Sequence, residues 1–205
     1  IQRAGPKLFN LIRRTAVVGQ EGSLTIMDCT HGGALTQVMT STHLRGEGAE
    51  SKVYSLVFAD QQQQIDMNTE TSHHAPHTFT DMQAKLILND HARAIYRGLI
   101  HMNKTAPHST GTQREDTLLL SDSAHVDAAP TLEINHHDVK CHHAATISQP
   151  DEESLFYLMS RGMDKKTAQQ LTVYGFIEEM LTKLGQQDLI DQVIATISRR
   201  LGEKP

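Results

Sequence analysis

Lys85-Leu86-Ile87-Leu88-Asn89-Asp90-His91-Ala92-Arg93-Ala94-Ile95-Tyr96-Arg97-Gly98-Leu99-Ile100-His101-Met102 reads as two extended segments, Lys85 to Leu88 and Ala94 to Met102, joined by a turn at Asn89-Asp90. The turn plan, Leu-x-Asp-x-Ala, returns as Leu120-Ser121-Asp122-Ser123-Ala124, and Leu44-Arg45-Gly46-Glu47-Gly48-Ala49 is a looser third copy; its alanines fall 43 and 32 residues apart. Irregular units of that size suit a parallel β-solenoid better than a sandwich, because each coil buries its apolar face only by stacking on the next. No strict six-residue apolar repeat is present, which sets aside the left-handed hexapeptide type. Further extended segments at Ser23 to Asp28, Lys52 to Ala59 and Thr131 to Asn135 carry the same period-two patterning. An aromatic content of 4% with no Trp fits a core of stacked aliphatics.

After Gln149-Pro150 the pattern changes. Asp151, Glu152 and Glu153 place negative charge at a helix start, and Gly162 is placed to end that helix. A second helix is expected from Asp164, with Ala168, Leu171, Tyr174, Ile177, Leu181 and Leu184 as its apolar stripe; a third follows from Asp188 to Leu201. The expected organisation is therefore an all-β parallel solenoid over residues 1–148 and a C-terminal α-helical domain over 149–205. Solenoid ends expose unpaired strand edges, so the terminal helices are expected to cover one.

Length and charge narrow the function. A chain of 205 residues supports one ordinary domain with a small appendage. The formal net charge of -5 offers no electrostatic reason for a nucleic-acid partner, and no apolar run reaches the roughly 18 residues that cross a bilayer. The two cysteines, Cys29 and Cys141, are too few for a secreted disulfide framework, so a reducing compartment is expected, with a disulfide between them as the lesser alternative. The chain begins at Ile1 without an initiator Met and reads as a fragment. Phosphate loops of the G-x-x-x-x-G-K-S/T type, G-x-G-x-x-G, G-x-S-x-G and C-x-x-C are all missing, so no enzyme activity is expected. Asp122 and Asp127 are the only carboxylates to weigh for a carbohydrate-active solenoid enzyme, and turn acidity explains both.

The chemistry concentrates in Leu132-Glu133-Ile134-Asn135-His136-His137-Asp138-Val139-Lys140-Cys141-His142-His143-Ala144-Ala145-Thr146, followed by Asp151-Glu152-Glu153-Ser154-Leu155-Phe156-Tyr157-Leu158-Met159-Ser160-Arg161-Gly162. In extended chain Val139, Cys141, His143, Ala145 and Ile147 share one face, so a thiol and an imidazole stand together, a pair suited to a soft metal or cluster. The same row also reads as an inward face in which Cys141 is a small filler and His143 is satisfied internally. An iron–sulfur cluster takes about four thiolates, sometimes with His replacing some; with two distant cysteines, any cluster here is shared with another subunit at an interface. The thirteen histidines otherwise read as polar surface residues, with His73, His74 and His77 around Pro76 as loop residues and each adjacent pair split across strand faces.

The order D-V-K-C-x-H-x-A-T followed by D-E-E-x-L-F-Y-L-x-S-R-G resembles the C-terminal part of the SufB/SufD family of iron–sulfur cluster assembly proteins. The likeness continues through His74 to Thr78, Ala92 to His101 and Leu118 to Asp127, and is nearest to the SufD type. It implies a right-handed parallel β-helix core with a C-terminal helical domain, a SufB-like partner paired at the C-terminal end of the β-helix, and a SufC-like ATPase on the C-terminal helices. Leu155, Phe156, Tyr157, Arg161 and Gly162 would belong to that ATPase-facing unit, although at least one of Phe156 and Tyr157 is expected to pack the helix on the solenoid. SufB-type scaffolds carry a Cys and a Glu where this chain has Ile134 and Ala144, which leaves Cys141 and His143; His142 departs from the family's usual small residue. The implied cargo is a transient iron–sulfur cluster, with a flavin as a further cofactor of the family's complexes. The implied setting is the cytoplasm, or the plastid stroma of a eukaryote. The alternative within the fold is a SufB-like homodimer that assembles clusters itself.

Overall fold

A computed structural model describes residues 2–5 and 7–202, with the side chains of residues 2–4 and of Leu184 outside that description. Eleven strands come first: β1 (Gln2–Ala4), β2 (Phe9–Val18), β3 (Ser23–Gly32), β4 (Leu35–Leu44), β5 (Glu50–Ala59), β6 (Gln64–His73), β7 (Phe79–Leu88), β8 (Arg93–Met102), β9 (Ser109–Leu119), β10 (His125–Ile134) and β11 (Val139–Ser148). Three helices follow: α1 (Glu152–Ser160), α2 (Lys165–Leu184) and α3 (Gln187–Arg200). Odd-numbered strands form one sheet in the order β1-β3-β5-β7-β9-β11 and even-numbered strands the other, β10-β8-β6-β4-β2, with every pairing among them parallel. The expected parallel β-solenoid is what the chain forms.

Each strand alternates inward and outward residues, and the inward ones close the core between the sheets. Val38, Val57, Ile65, Met67, Leu86, Leu88 and Tyr96 make its centre, with Val53, Met82, Ile100 and Met102 continuing it. Burying an aliphatic side chain of this size stabilises by roughly 1.5–3 kcal/mol, and stacking in columns does this for every coil. The strands run further than the sequence pattern suggested, and β2, β4, β6 and β9 are not among the segments it indicates; in the last three, Thr and Gln at inward positions (Thr40, Thr69, Gln113) hide the apolar rhythm.

Two different corners join the sheets. Asp60 to Gln63 and Asn89 to Ala92 turn with positive φ at the second residue (Gln61 φ 57, Asp90 φ 54), and Ser121 to Ala124 closes on the same side. Gly19 to Gly22 and Gly46 to Ala49 turn on the other side with positive φ at the third residue (Glu21 φ 52, Gly48 φ 67). The segment Leu44 to Ala49 is thus not a third copy of the Leu88 turn: it sits on the opposite corner, and Ala59 to Gln63 occupies the equivalent place. Gly48 is required twice over, since a Cβ there would also meet the Glu21 carboxylate at 2.5 Å.

The helices start and stop as the sequence indicates. Asp151 and Asp164 accept from the backbone N–H of Ser154 and Thr167, and Gly162 and Gly185 take left-handed φ after α1 and at the end of α2. Their placement differs from expectation. α2 and α3 lie on the outer face of the odd-numbered sheet, where Val173, Ile177, Met180, Val193 and Ile197 pack on Cys29, Tyr54, Leu56, Phe58, Ile87 and Leu118. These outward strand residues are apolar, whereas the free edges of β10 and β11 offer only backbone, so the helices cover a face and leave the last coil's edge open. The polypeptide turns from strand to helix between Ser148 and Glu152.

Candidate functional site

β10 pairs only with β8 and β11 only with β9, so the last coil carries two unpaired edges. Register places the inward row of β11 beside the inward row of β9: Cys141 beside Gly111, His143 beside Gln113, Ala145 beside Glu115 and Ile147 beside Thr117. Val139 and Cys141 still pack against the cluster of Val53, Met82, Ile100 and Met102. From His143 onward the same row is exposed, Ile147 by 51%, because no further coil covers it and the facing positions Ala128 and Pro130 are small. Lys140, His142, Ala144 and Thr146 point outward and are exposed.

Cys141 and His143 thus share a face but not an environment. Burial pushes the Cys141 thiol up, against a backbone N–H of Gly111 that favours the thiolate. Cys141 therefore behaves largely as the core filler of the alternative reading, while His143 is not sealed inside. Cys141 and Cys29 form no disulfide and lie in different core clusters, which removes the disulfide alternative.

Beneath His143 the interior becomes polar. Its column runs Ile26, Val53, Met82, Gln113, His143 through successive odd-numbered strands, apolar for three coils and then not. Gln113 is 2% exposed, and neither atom of its amide has a partner. Glu115, fully buried, accepts from the Thr117 hydroxyl on one oxygen and has no partner on the other; desolvation pushes its carboxyl above the usual range. Neither residue was picked out from the sequence. The available signal was the alternation of Gly111, Gln113, Glu115 and Thr117 counted back from the corner at Leu120.

The other histidines take several roles. His73 ends β6 and is wholly buried, not a loop residue; its Nδ1 lies 2.7 Å from the Thr78 hydroxyl, and desolvation lowers its pKa to about 3. His74 stands at the corner, 3.4 Å from His43 and 3.1 Å from the Asn103 amide, and burial lowers its pKa. His77 stacks on His108, which bonds Asp138 at 2.8 Å. His136 and His137 stand in a turn and stack on one another, so that adjacent pair does not split across faces. Among the described residues no three His, Cys, Asp or Glu are grouped to hold a metal, at Cys141 and His143 or elsewhere. Asp122 bonds Gln149 and Asp127 bonds His125, so the two carboxylates are engaged separately.

α1 carries no buried residue. Phe156 is 74% and Tyr157 56% exposed, with Leu155 half-buried and Arg161 and Gly162 exposed, so neither aromatic ring packs the helix on the solenoid as expected. The Arg161 guanidinium instead lies over the Tyr157 ring at 5.0 Å and donates to its hydroxyl at 2.8 Å. α1 and α2 open on carboxylates already bonded to their first-turn N–H groups, whereas α3 opens at Gln186 with no side-chain cap. No described helix is long and apolar enough to cross a membrane.

The model of the family described as SUF system FeS cluster assembly, SufBD core domain, matches residues 1–176. The iron–sulfur cluster assembly protein SufD of Escherichia coli (strain K12) is 36% identical over 170 residues, covering 83% of this chain and 40% of its own length. Iron–sulfur cluster assembly SufBD family proteins of Staphylococcus saprophyticus and Staphylococcus epidermidis are each 31% identical over 191 residues, covering 93% of this chain and 41% of their own. The chain spans about two-fifths of the length of these curated relatives, 40% to 41%. With its parallel solenoid, its Cys141 and His143 on the open last coil and these matches, the chain belongs to the SufBD core-domain family of the SUF system of iron–sulfur cluster assembly.

Proposed function

We propose that this chain forms the core of a non-catalytic, SufD-like subunit of an iron–sulfur assembly scaffold. It pairs with a SufB-like subunit along the open edge of β10 and β11 and binds a SufC-like ATPase through α1. The observation that carries this reading is the exposure of His143 on the inward row of an unpaired edge strand, with too few donors around it to enclose a metal. The cargo is a nascent cluster, and the remaining ligands come from the partner. His143 offers an imidazole nitrogen to iron, while the half-buried Cys141 stays a thiol until metal binding displaces its proton to solvent. ATP hydrolysis by the bound ATPase reshapes the interface and opens the shared site. Phe156 and Tyr157, exposed beside the Arg161 guanidinium, give the ATPase an aromatic and cationic surface. Two cysteines that form no disulfide suit a reducing compartment, the cytoplasm or a plastid stroma.

The test is co-expression of the full chain with its SufB-like and SufC-like partners and replacement of His143 by Ala. The complex should still assemble, and its iron, sulfide and visible cluster absorption should fall to background. Undiminished cluster content would remove the role of His143. Stoichiometric cluster on the purified chain without partners would instead establish the homodimeric scaffold.

A further inference from the structure

The proposed function leaves unexplained why the column that is apolar through Ile26, Val53 and Met82 ends in an amide directly beneath His143. Burying an unpartnered amide costs about 1–3 kcal/mol, and Gln113 carries both of its amide atoms in that state. Folding alone offers a better choice. Met82 occupies the same column one coil earlier, wholly buried, and Met is nearly isosteric with Gln. The neighbouring strand also accommodates the amide: Gly98 on β8 has no side chain where the Gln113 nitrogen lies, and a Cβ there would stand 2.0 Å from it. Two positions on two strands thus keep one amide inside an apolar body.

Two polar residues beside this amide in the β9–β11 rows are open to it: His143 on β11 and the partnerless oxygen of Glu115 on β9. His143 is its register partner on β11, on the same face of adjacent parallel strands roughly 4.8 Å apart. Opposite it, Pro130 is the register partner of Gly98 and supplies no side-chain donor or acceptor. A metal-facing imidazole is ordinarily held by an acceptor on its second nitrogen, which fixes the tautomer and the ring plane. We propose that Gln113 is the positioning residue for His143: its side-chain carbonyl accepts a hydrogen bond from one ring N–H and leaves the other nitrogen unprotonated and aimed at the open edge. Glu115, next along the same row with a partnerless oxygen, is placed to receive the Gln113 amide N–H when that amide turns from Gly98, which would keep the carbonyl toward the imidazole. This inference deepens the proposed function and rests on it.

The decisive variant is Gln113→Met, which copies the residue one coil below. Its melting temperature should equal or exceed that of the natural chain. In the full chain labelled with 15N-histidine and free of any cluster, the two ring nitrogens of His143, assigned by loss of signal in His143→Gln, should resolve as one protonated and one bare. In Gln113→Met they should collapse toward an averaged pair. Gln113→Glu, which keeps an acceptor, should restore the resolved pattern. In the co-expressed complex Gln113→Met should lower cluster occupancy, on the order of 10-fold or more at limiting iron. Ring-nitrogen signals unchanged in Gln113→Met would overturn the inference whatever the cluster content. A coupled tautomer together with full cluster content in His143→Ala would leave Gln113 as the partner of His143 but sink the proposed function, so the two failures are distinguishable.

Discussion

Gly98 and Gln113 meet inside the solenoid at a distance that admits a Cβ at position 98 only if the Gln113 side chain moves, its amide nitrogen standing 2.0 Å from where that Cβ would be. Gly98→Ala must therefore displace a fully buried side chain. The expected cost is about 1–3 kcal/mol of overpacking, read as a lower melting temperature. Shortening the intruding side chain in Gly98→Ala/Gln113→Ala should recover part of that loss relative to Gln113→Ala alone. Strictly additive effects would show that the two residues do not compete for the same space.

His73 titrates far below an ordinary imidazole, at about 3, because burial disfavours its charged form. The unfolded chain takes up that proton near pH 6.5 and the folded chain does not, so stability is intact above pH 6.5 and falls as pH drops toward 3. The loss from this group is about 1.4 kcal/mol per pH unit within that window. Replacing His73 by Gln, which still offers Thr78 a hydrogen-bonding group, should flatten this slope. Denaturant unfolding at pH 7, 6, 5 and 4 tests it, and parallel curves for the two proteins would refute it.

Arg200 fixes the end of α3 to the solenoid corner. Its guanidinium donates to Asp60 at 2.7 Å and to Gln63 at 3.2 Å, and burial pushes the Asp60 carboxyl above the usual range while Arg200 pulls it back. Arg200→Ala leaves Asp60 without its counter-charge and should cost about 2 kcal/mol, less than a fully buried pair because both side chains retain some exposure. Hydrogen exchange should report the loss first in α3. A change confined to the strands would place the linkage elsewhere.

Phe156 touches no core cluster, so Phe156→Ser should leave the melting temperature within about 1 °C, as expected for a surface change away from packed features. On the proposed function it should weaken capture of the SufC-like ATPase at least tenfold, measured with purified partners by calorimetry. Binding of unchanged strength would take the ATPase surface away from α1.

Some of this protein follows from residue order alone. The Leu-x-Asp-x-Ala turns at Leu88 and Leu120, with period-two strands between them, specify stacked coils, because local turn chemistry and side-chain alternation act within a few residues. The helix boundaries at Asp151, Gly162 and Asp164 are local in the same sense, as is the shared face of Cys141 and His143. Their different fates are not local. Cys141 is half-buried against the cluster that holds Ile100 and Met102, and His143 is exposed because Ala128 and Pro130 are small and no twelfth strand follows among the described residues. Docking of α2 and α3 on the sheet face rather than its edge likewise depends on apolar residues such as Leu56, Phe58 and Ile87, more than a hundred positions away from Ile197. Gln113 is the plainest case: an amide flanked in sequence by Thr112 and Arg114 looks like surface, and only parallel stacking of β7, β9 and β11 puts it between Met82 and His143. Columns join residues about one coil apart, and burial, the quantity that sets their chemistry, is a property of the column and not of the neighbouring letters.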